Sequence, residues 1–261
     1  MNPVDSFRLE GRVALVSGGG GAIGSALALA LGSAGAKVAV SDIAVENLEA
    51  AAAKIRAAGI DCVAVPADIT KEAEAERVVA AVVEKFGHVD ILVNAVGGGA
   101  GKVLFEAQEY PRDAWDWIME INLRSTLIAT QAVAKAMIKA GHGGHVVNIS
   151  SVRAQLGINA GYSAYVAAKG AVSSLTRQWA TEWAKYGINV NAIAPTFVDT
   201  PQVAMLLGDP KFKGDLVSRI PLGRVGGTDD LVGAVLFFAS DASSFVTGQI
   251  MTIDGGLTAT Q

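Results

Sequence analysis

Only one cysteine, Cys62, occurs in 261 residues, so no disulfide can form within the chain. That suits a reducing compartment, and a cytoplasmic location is expected. Histidine is nearly as scarce. His88, His142 and His145 have no metal-ligand spacing, and no metal site is expected. Charged residues make up only 18%, with no long Lys/Arg run. A net charge of -4 and a pI ≈ 5.4 leave no basic surface of the kind nucleic acid requires. Mean hydropathy is +0.38, which raises the question of a membrane span. The longest uncharged stretch, 13–36, holds seven glycines, four of them consecutive, and a spanning helix would not carry them. Asp5, Arg8 and Glu10 precede any apolar run, which argues against a signal peptide.

What the chain does have is apolar residues, at 51%, which excludes disorder and permits a large core. Short runs rich in Val and Ile fall at 13–17, 37–41, 62–66, 91–94, 146–150, 189–194 and 250–253. They are almost continuously apolar, as strands covered on both faces are. Helical patterns lie between them at about 22–34, 44–58, 71–86, 112–140, 163–186 and 228–240. This alternation predicts an α/β fold with one parallel sheet of about seven strands and helices on both faces. No Pro-, Gly- or Ser-rich linker divides the chain, so 1–261 is expected to form a single domain. Residues 195–221 contain Pro201, Gly208, Asp209, Pro210 and Gly214. They read either as a mobile lid over a site or as an ordered surface excursion. Trp115 and Trp117 read as core or subunit contacts, and Cys62 as a small buried apolar side chain.

Ser17-Gly18-Gly19-Gly20-Gly21-Ala22-Ile23-Gly24 follows the first strand and opens the first helix. Gly19, Gly21 and Gly24 satisfy G-x-G-x-x-G. Glycine is needed where the backbone turns tightly and approaches a pyrophosphate, which then meets the free N–H groups of the helix N-terminus. Asp42 ends the second strand, where an acid accepts hydrogen bonds from the ribose hydroxyls of a dinucleotide. No Lys or Arg lies in 17–24 or 38–53 to pair with a 2′-phosphate, so NAD is expected rather than NADP. The bland alternative is that Asp42 merely caps the next helix.

Tyr165-Val166-Ala167-Ala168-Lys169 puts a phenol and an ammonium at i and i+4, on one helix face. A nearby cation favours phenolate, which makes the tyrosine an acid/base candidate. By itself a Tyr-x-x-x-Lys carries little weight. Here it stands in a series, and the chain resembles the short-chain dehydrogenase/reductase family along nearly its whole length. Residues 17–24 resemble the family's T-G-x-x-x-[AG]-x-G loop, with Ser17 for Thr. Asp68 in Ala67-Asp68-Ile69-Thr70 resembles the adenine-contacting acid after the third strand. Asn94-Ala95-Val96-Gly97 resembles the N-A-G-type motif, with Val96 where Ala is usual. Asn122, Ser151, Tyr165 and Lys169 match the catalytic tetrad. Pro195-Thr196-Phe197-Val198-Asp199-Thr200 resembles P-G-x-x-x-T, with Thr196 replacing Gly.

The resemblance implies a Rossmann-like doubly wound sheet and an NAD-dependent oxidoreductase acting on CH–OH groups. It implies cofactor contacts from Gly18, Gly21, Ala22, Ile23, Asp42, Ile43, Asp68, Ile69, Asn94, Ala95, Gly97, Tyr165, Lys169, Val198 and Thr200. Ser151 would steady the substrate oxygen, and Lys169 would hold the nicotinamide ribose and lower the tyrosine pKa. Asn122 would position a water behind Lys169, and Val198 and Thr200 would hold the carboxamide. Adjacent strand residues face opposite ways, so only one of Ser150 and Ser151 enters the site. The family's serine-to-tyrosine spacing favours Ser151.

The substrate is expected to touch Ser151, Tyr165 and Arg153. Arg153 is read either as a structural arginine or as the holder of an anionic group such as a carboxylate or sulfonate. The expected reaction interconverts a secondary alcohol, or a sugar or polyol hydroxyl, with its carbonyl. A 3-oxoacyl-thioester reductase and a non-catalytic nucleotide-binding regulator remain as alternatives. The resemblance also implies a homotetramer formed through the helices at about 112–140 and 163–186.

Overall fold

The computed structural model describes residues 3–260. Seven strands form one sheet: β1 (Val13–Ser17), β2 (Lys37–Asp42), β3 (Cys62–Pro66), β4 (Ile91–Asn94), β5 (Gly144–Ile149), β6 (Ile188–Pro195) and β7 (Ile250–Ile253). All pairings are parallel, in the order β3-β2-β1-β4-β5-β6-β7. The chain order reverses beside β1, with β2 on one side and β4 on the other. In such sheets the ligand crevice opens at the carboxyl ends of the strands flanking this point.

The alternation inside each strand explains why the runs are apolar throughout. In β1, Val13 and Leu15 enter one buried cluster while Ala14 and Val16 enter the other. In β4, Leu92 points to the first side and Ile91 and Val93 to the second. The first layer is covered by α3 (Glu72–Phe86), α5 (Ser125–Ala140) and α6 (Ser163–Trp183), through Val78, Val82, Val133, Met137 and Trp179. The second is covered by α1 (Ala22–Ser33), α2 (Val45–Ala57) and α9 (Asp229–Ala239), through Leu27, Leu31, Leu48, Val235 and Phe238.

The structure differs from the sequence reading in three places. The helix expected over 112–140 is α4 (Arg112–Met119), one π turn (Glu120–Arg124) and then α5. Asn122 sits in that turn and its Nδ2 donates back to the Ile118 carbonyl, as a polar side chain inserted into the ladder does. The helix expected to reach 186 ends at Trp183 and finishes in a 3₁₀ turn, Ala184–Tyr186. Residues 195–221 are not featureless. They carry α7 (Ala204–Leu207) and α8 (Pro210–Val217), and Leu207, Leu216, Ile220 and Leu257 form a small apolar cluster of their own. Among the described residues, no helix is long and apolar enough to cross a membrane.

Candidate active site

The glycine loop bridges β1 and α1, and its geometry shows which glycines are obligatory. Gly18 has φ +77, and a Cβ there would lie 2.7 Å from backbone atoms of Ala95 and Val96. A Cβ on Gly24 would run into the Gly18 carbonyl, so α1 is pressed against the loop with no room for a methyl group. Gly21 is the N-cap of α1, and no side chain caps the helix, which leaves its first amides facing the crevice. Ala22 and Ile23 are the first two residues of that helix. A Cβ on Gly21 would be 3.3 Å from its nearest neighbour, so this glycine is the least constrained of the three in the motif.

At the end of β2, Asp42 receives the Gly20 N–H on Oδ2 (3.1 Å) and the Ala44 N–H on Oδ1 (3.0 Å). The carboxylate is thus fixed beside the glycine loop. Each oxygen keeps acceptor capacity for a diol. Ile43 follows it with 68% exposure, a bare apolar side chain at the rim of the crevice. Asp68 is held in a turn by accepting from the N–H and hydroxyl of Thr70, at 3.1 and 2.7 Å, and Ile69 is buried beside it.

Asn94 closes β4. It is buried, and its Nδ2 donates to Thr130 Oγ1 and to Asn148 Oδ1, both at 2.8 Å. Its Oδ1 accepts from Ser17 Oγ at 3.2 Å, and Asn148 Nδ2 donates to Thr176 Oγ1 at 2.9 Å. The side chain belongs to a buried polar network that ties β1, β4 and β5 to α5 and α6. Only the backbone at Asn94 and Ala95 is left to line the crevice.

The tetrad comes together at the ends of β4 and β5 and the start of α6. Ser151 is buried just past β5. Its Oγ accepts the Arg153 N–H at 3.1 Å and donates to the Pro195 carbonyl at 3.5 Å. Ser150 faces away, bonding Ser173 Oγ at 2.7 Å and the Lys169 carbonyl at 3.1 Å. The Ser150 hydroxyl is thus spent between β5 and α6. The Lys169 ammonium is buried, donates to the Ile149 carbonyl at 2.8 Å and lies 5.8 Å from the Tyr165 ring centre.

Burial holds the Tyr165 phenol above the usual tyrosine range. The Ser151 hydrogen bond and the Arg153 charge oppose this without offsetting it, and Tyr162 adds to it. The Lys169 ammonium, 5.8 Å from the ring centre, is a cation of the kind that favours phenolate. Its own pKa is pushed down to about 8 by burial. Asn122 is fully buried. Its Oδ1 accepts the Gly98 N–H at 2.8 Å, while its Nδ2 donates to the Gly98 and Ile118 carbonyls, each at 3.0 Å. Both amide protons are spent inside the protein, while Oδ1 keeps one lone pair. The side chain fixes the glycine loop after β4. A Cβ on Gly97 (φ +153) would lie 2.8 Å from Asn122 Oδ1 and 3.2 Å from Lys169 Nζ. Gln202, where the 195–221 segment leaves β6, reaches back to the Gly97 carbonyl at 3.2 Å.

Beyond β6, Asp199 N–H donates to the Gly226 carbonyl at 2.8 Å, forming an isolated parallel bridge between Val198 and Gly226. In that pairing the Val198 N–H points the other way and has no acceptor among the described residues. Thr200 follows at the mouth of the crevice. Thr196 Oγ1 is buried without a partner, a feature that replacement of the family's glycine introduces. Residues given no role from the sequence are Asn148, Thr130, Thr176 and Gln202. Only Asn148 left a trace there, as a lone polar residue within an apolar strand. Among the described residues, no group of three or more His, Cys, Asp or Glu side chains is placed to hold a metal ion.

A glycine-cradled helix N-terminus at the switch point, an acid closing β2, and a Ser–Tyr pair backed by a buried lysine define a dinucleotide-dependent oxidoreductase. The comparisons with known proteins agree. A family model described as enoyl-(acyl carrier protein) reductase matches residues 20–258. Gluconate 5-dehydrogenase of Gluconobacter oxydans is 38% identical over 258 residues, covering 99% of each chain. The 3-oxoacyl-[acyl-carrier-protein] reductase of Thermotoga maritima is 39% identical over 253 residues, covering 96% of this chain and 99% of that one. A solved gluconate 5-dehydrogenase from Burkholderia cenocepacia, in complex with NADP and tartrate, superposes with a TM-score of 0.91 at 37% identity and covers 99% of each chain. The chain belongs to the short-chain dehydrogenase/reductase family, as an oxidoreductase that interconverts hydroxyl and carbonyl groups.

Proposed function

We propose that this protein uses NAD to oxidise a secondary hydroxyl of a sugar acid or polyol, and catalyses the reverse reduction with NADH. The observation that carries the reading is the buried Lys169 ammonium 5.8 Å from the Tyr165 ring centre, with the buried Ser151 acting on the same phenol. Gluconate and 2-dehydro-3-deoxygluconate 5-dehydrogenases recur among the relatives, which supports a sugar acid. The 39% identity to a 3-oxoacyl reductase keeps that activity as the second reading.

The cofactor, when bound, supplies the hydride acceptor, and the residues present suit it. The backbone of Gly18, Gly21, Ala22 and Ile23 would face the diphosphate. Asp42 would take the ribose diol, with Ile43, Asp68 and Ile69 around the adenine. The backbone of Asn94, Ala95 and Gly97 would line the far wall. Lys169 and Tyr165 would hold the second ribose, and Val198 and Thr200 the carboxamide. NAD is preferred because the Asp42 carboxylate would repel a 2′-phosphate, although the Burkholderia relative was solved with NADP.

Ser151 Oγ donates to the substrate oxygen and stabilises its developing charge. Tyr165 takes the hydroxyl proton as the carbinol carbon gives up its hydride. Lys169 holds positive charge beside the phenol and favours the form that accepts that proton. Residues 195–221 act as the lid, and Arg153 touches the substrate. We further place the protein in the cytoplasm as a homotetramer assembled through α4–α5 and α6. Reduction of NAD+ and NADP+ over a panel of aldonates, alditols and simple secondary alcohols tests the reading. Failure to turn over any carbinol with either cofactor would overturn it.

A further inference from the structure

Arg153 and Lys169 are the two buried cationic side chains among the described residues, and neither has an acidic partner there. Lys169 is accounted for by the reaction. Arg153 is not. It stands two residues beyond Ser151, on the 3₁₀ turn Val152–Ala154, with its side chain 5% exposed. Of its five N–H groups, one has a side-chain bond, from Nη1 to the Gly157 carbonyl at 3.1 Å. A guanidinium this buried is normally matched by a carboxylate, since an unpaired buried charge is costly. Here the charged or titratable groups that bear on it are Tyr162, Tyr165 and a second guanidinium, Arg219. Arg219 leaves the end of α8 in the 195–221 segment, is exposed, and has no ion pair among the described residues. The buried carboxylates lie elsewhere. Asp90 is bound by Val13 N–H and His88, and Asp254 by the amides of Gly256 and Thr258.

We infer that Arg153 and Arg219 form a two-part oxyanion clamp, with Arg153 on the pocket floor and Arg219 on the lid. The substrate's own carboxylate, or an equivalent oxyanion, supplies the missing counter-ion. The inference rests on the dehydrogenase reading and narrows its substrate to anions. Without an anion the two like charges repel. An oxyanion between them reverses the sign of that interaction and draws the lid over the reacting carbinol. Specificity for charge and closure of the site then come from the same contact.

The test compares kcat/KM for D-gluconate with that for its neutral counterpart D-glucitol. It uses the wild type, Arg153→Gln and the exposed Arg219→Gln, with L-tartrate as a non-reacting probe in thermal unfolding. The wild type is expected to prefer the aldonate. That preference should fall roughly 10- to 100-fold in Arg153→Gln and roughly tenfold in Arg219→Gln, mainly through KM. Tartrate should raise the unfolding midpoint of the wild type and raise it less in both variants. Equal losses on aldonate and alditol, or an unchanged preference in Arg219→Gln, would overturn the clamp while leaving the dehydrogenase reading intact. No turnover of either carbinol, with the tartrate effect present in wild type and lost in the variants, would remove that reading and keep the anion site.

Discussion

Gly24→Ala sets two known magnitudes against each other. Gly24 is the third residue of α1, and in a helix alanine is favoured over glycine by up to about 1 kcal/mol. If the site were ordinary helix, the substitution would stabilise the protein. The structure puts the new Cβ onto the Gly18 carbonyl and within 2.8 Å of its carbon. These are backbone atoms of a loop already pinned by Gly18 N–H and Gly19 N–H on the Ser41 carbonyl, at 2.8 and 3.0 Å. No rotamer change relieves such a contact, so α1 or the loop must move. Overpacking of this kind costs about 1–3 kcal/mol, and here it lies at the upper end. The net expectation is a destabilisation of about 1–2 kcal/mol, or roughly 2–8 °C in Tm for a domain of this size. The same displacement moves the α1 amides off the diphosphate position, so NADH affinity should fall at least about tenfold. The control is Gly233→Ala, at an exposed position inside α9 where a Cβ meets nothing within 4 Å. That variant should gain up to about 1 kcal/mol and bind NADH normally. Urea unfolding and a NADH fluorescence titration read both quantities. If Gly24→Ala proves as stable as Gly233→Ala and binds NADH like wild type, the close approach of helix and loop does not exist and the cofactor argument built on it fails.

Tyr165→Phe should lower turnover by roughly 10² to 10⁴ while NADH still binds, since the ring stays and only the proton-carrying oxygen is removed; paired kinetics and NADH titration check this. In the cofactor-free wild type, difference absorbance against Tyr165→Phe should show Tyr165 ionising above the ordinary tyrosine value, because burial outweighs Ser151 and Arg153. Lys169 titrates at about 8 when folded and near 10.4 when unfolded, so the unfolded state binds more protons between those values. Stability should therefore rise with pH across that window, by up to about 3 kcal/mol, with the penalty fully present below pH 8. Lys169→Met should remove the rise, as urea unfolding at stepped pH will show. Asp42→Ala should lower kcat/KM with NAD+ about tenfold and raise it with NADP+, because the ribose acceptor and the repelling charge disappear together.

Fold and site were legible in the sequence to different depths. The strands were plain because each is apolar on both faces, as the alternation of Val13 and Leu15 against Ala14 and Val16 requires. Strand order could follow only from resemblance. The opposite facing of Ser150 and Ser151 was readable because pleating alone demands it. The hydrogen-bond partners of Asn94 and Asn122 were not readable. Whether an amide faces a ligand or a neighbouring strand depends on what lies across the sheet, and Asn148, Thr130 and Gly98 are 54, 36 and 24 residues away in sequence from the amides they bind. The π turn at Glu120–Arg124 is equally hidden, because its apolar pattern continues through the break. Proximity of lysine to tyrosine suggested a lowered phenol pKa. The depth of burial, which raises the phenol and lowers the ammonium, has no signature in a five-residue spacing.

The central claim is hydride transfer from a carbinol carbon with Tyr165 taking the proton, and isotope transfer measures it directly. D-gluconate deuterated at its secondary carbinol carbons is incubated with the protein and NAD+, and the reduced cofactor is analysed by mass spectrometry and proton NMR. The account predicts one deuterium per turnover on a single face of the nicotinamide, with no transfer above background in Tyr165→Phe. Reduced cofactor that carries solvent hydrogen only, or equal transfer in Tyr165→Phe, would contradict it.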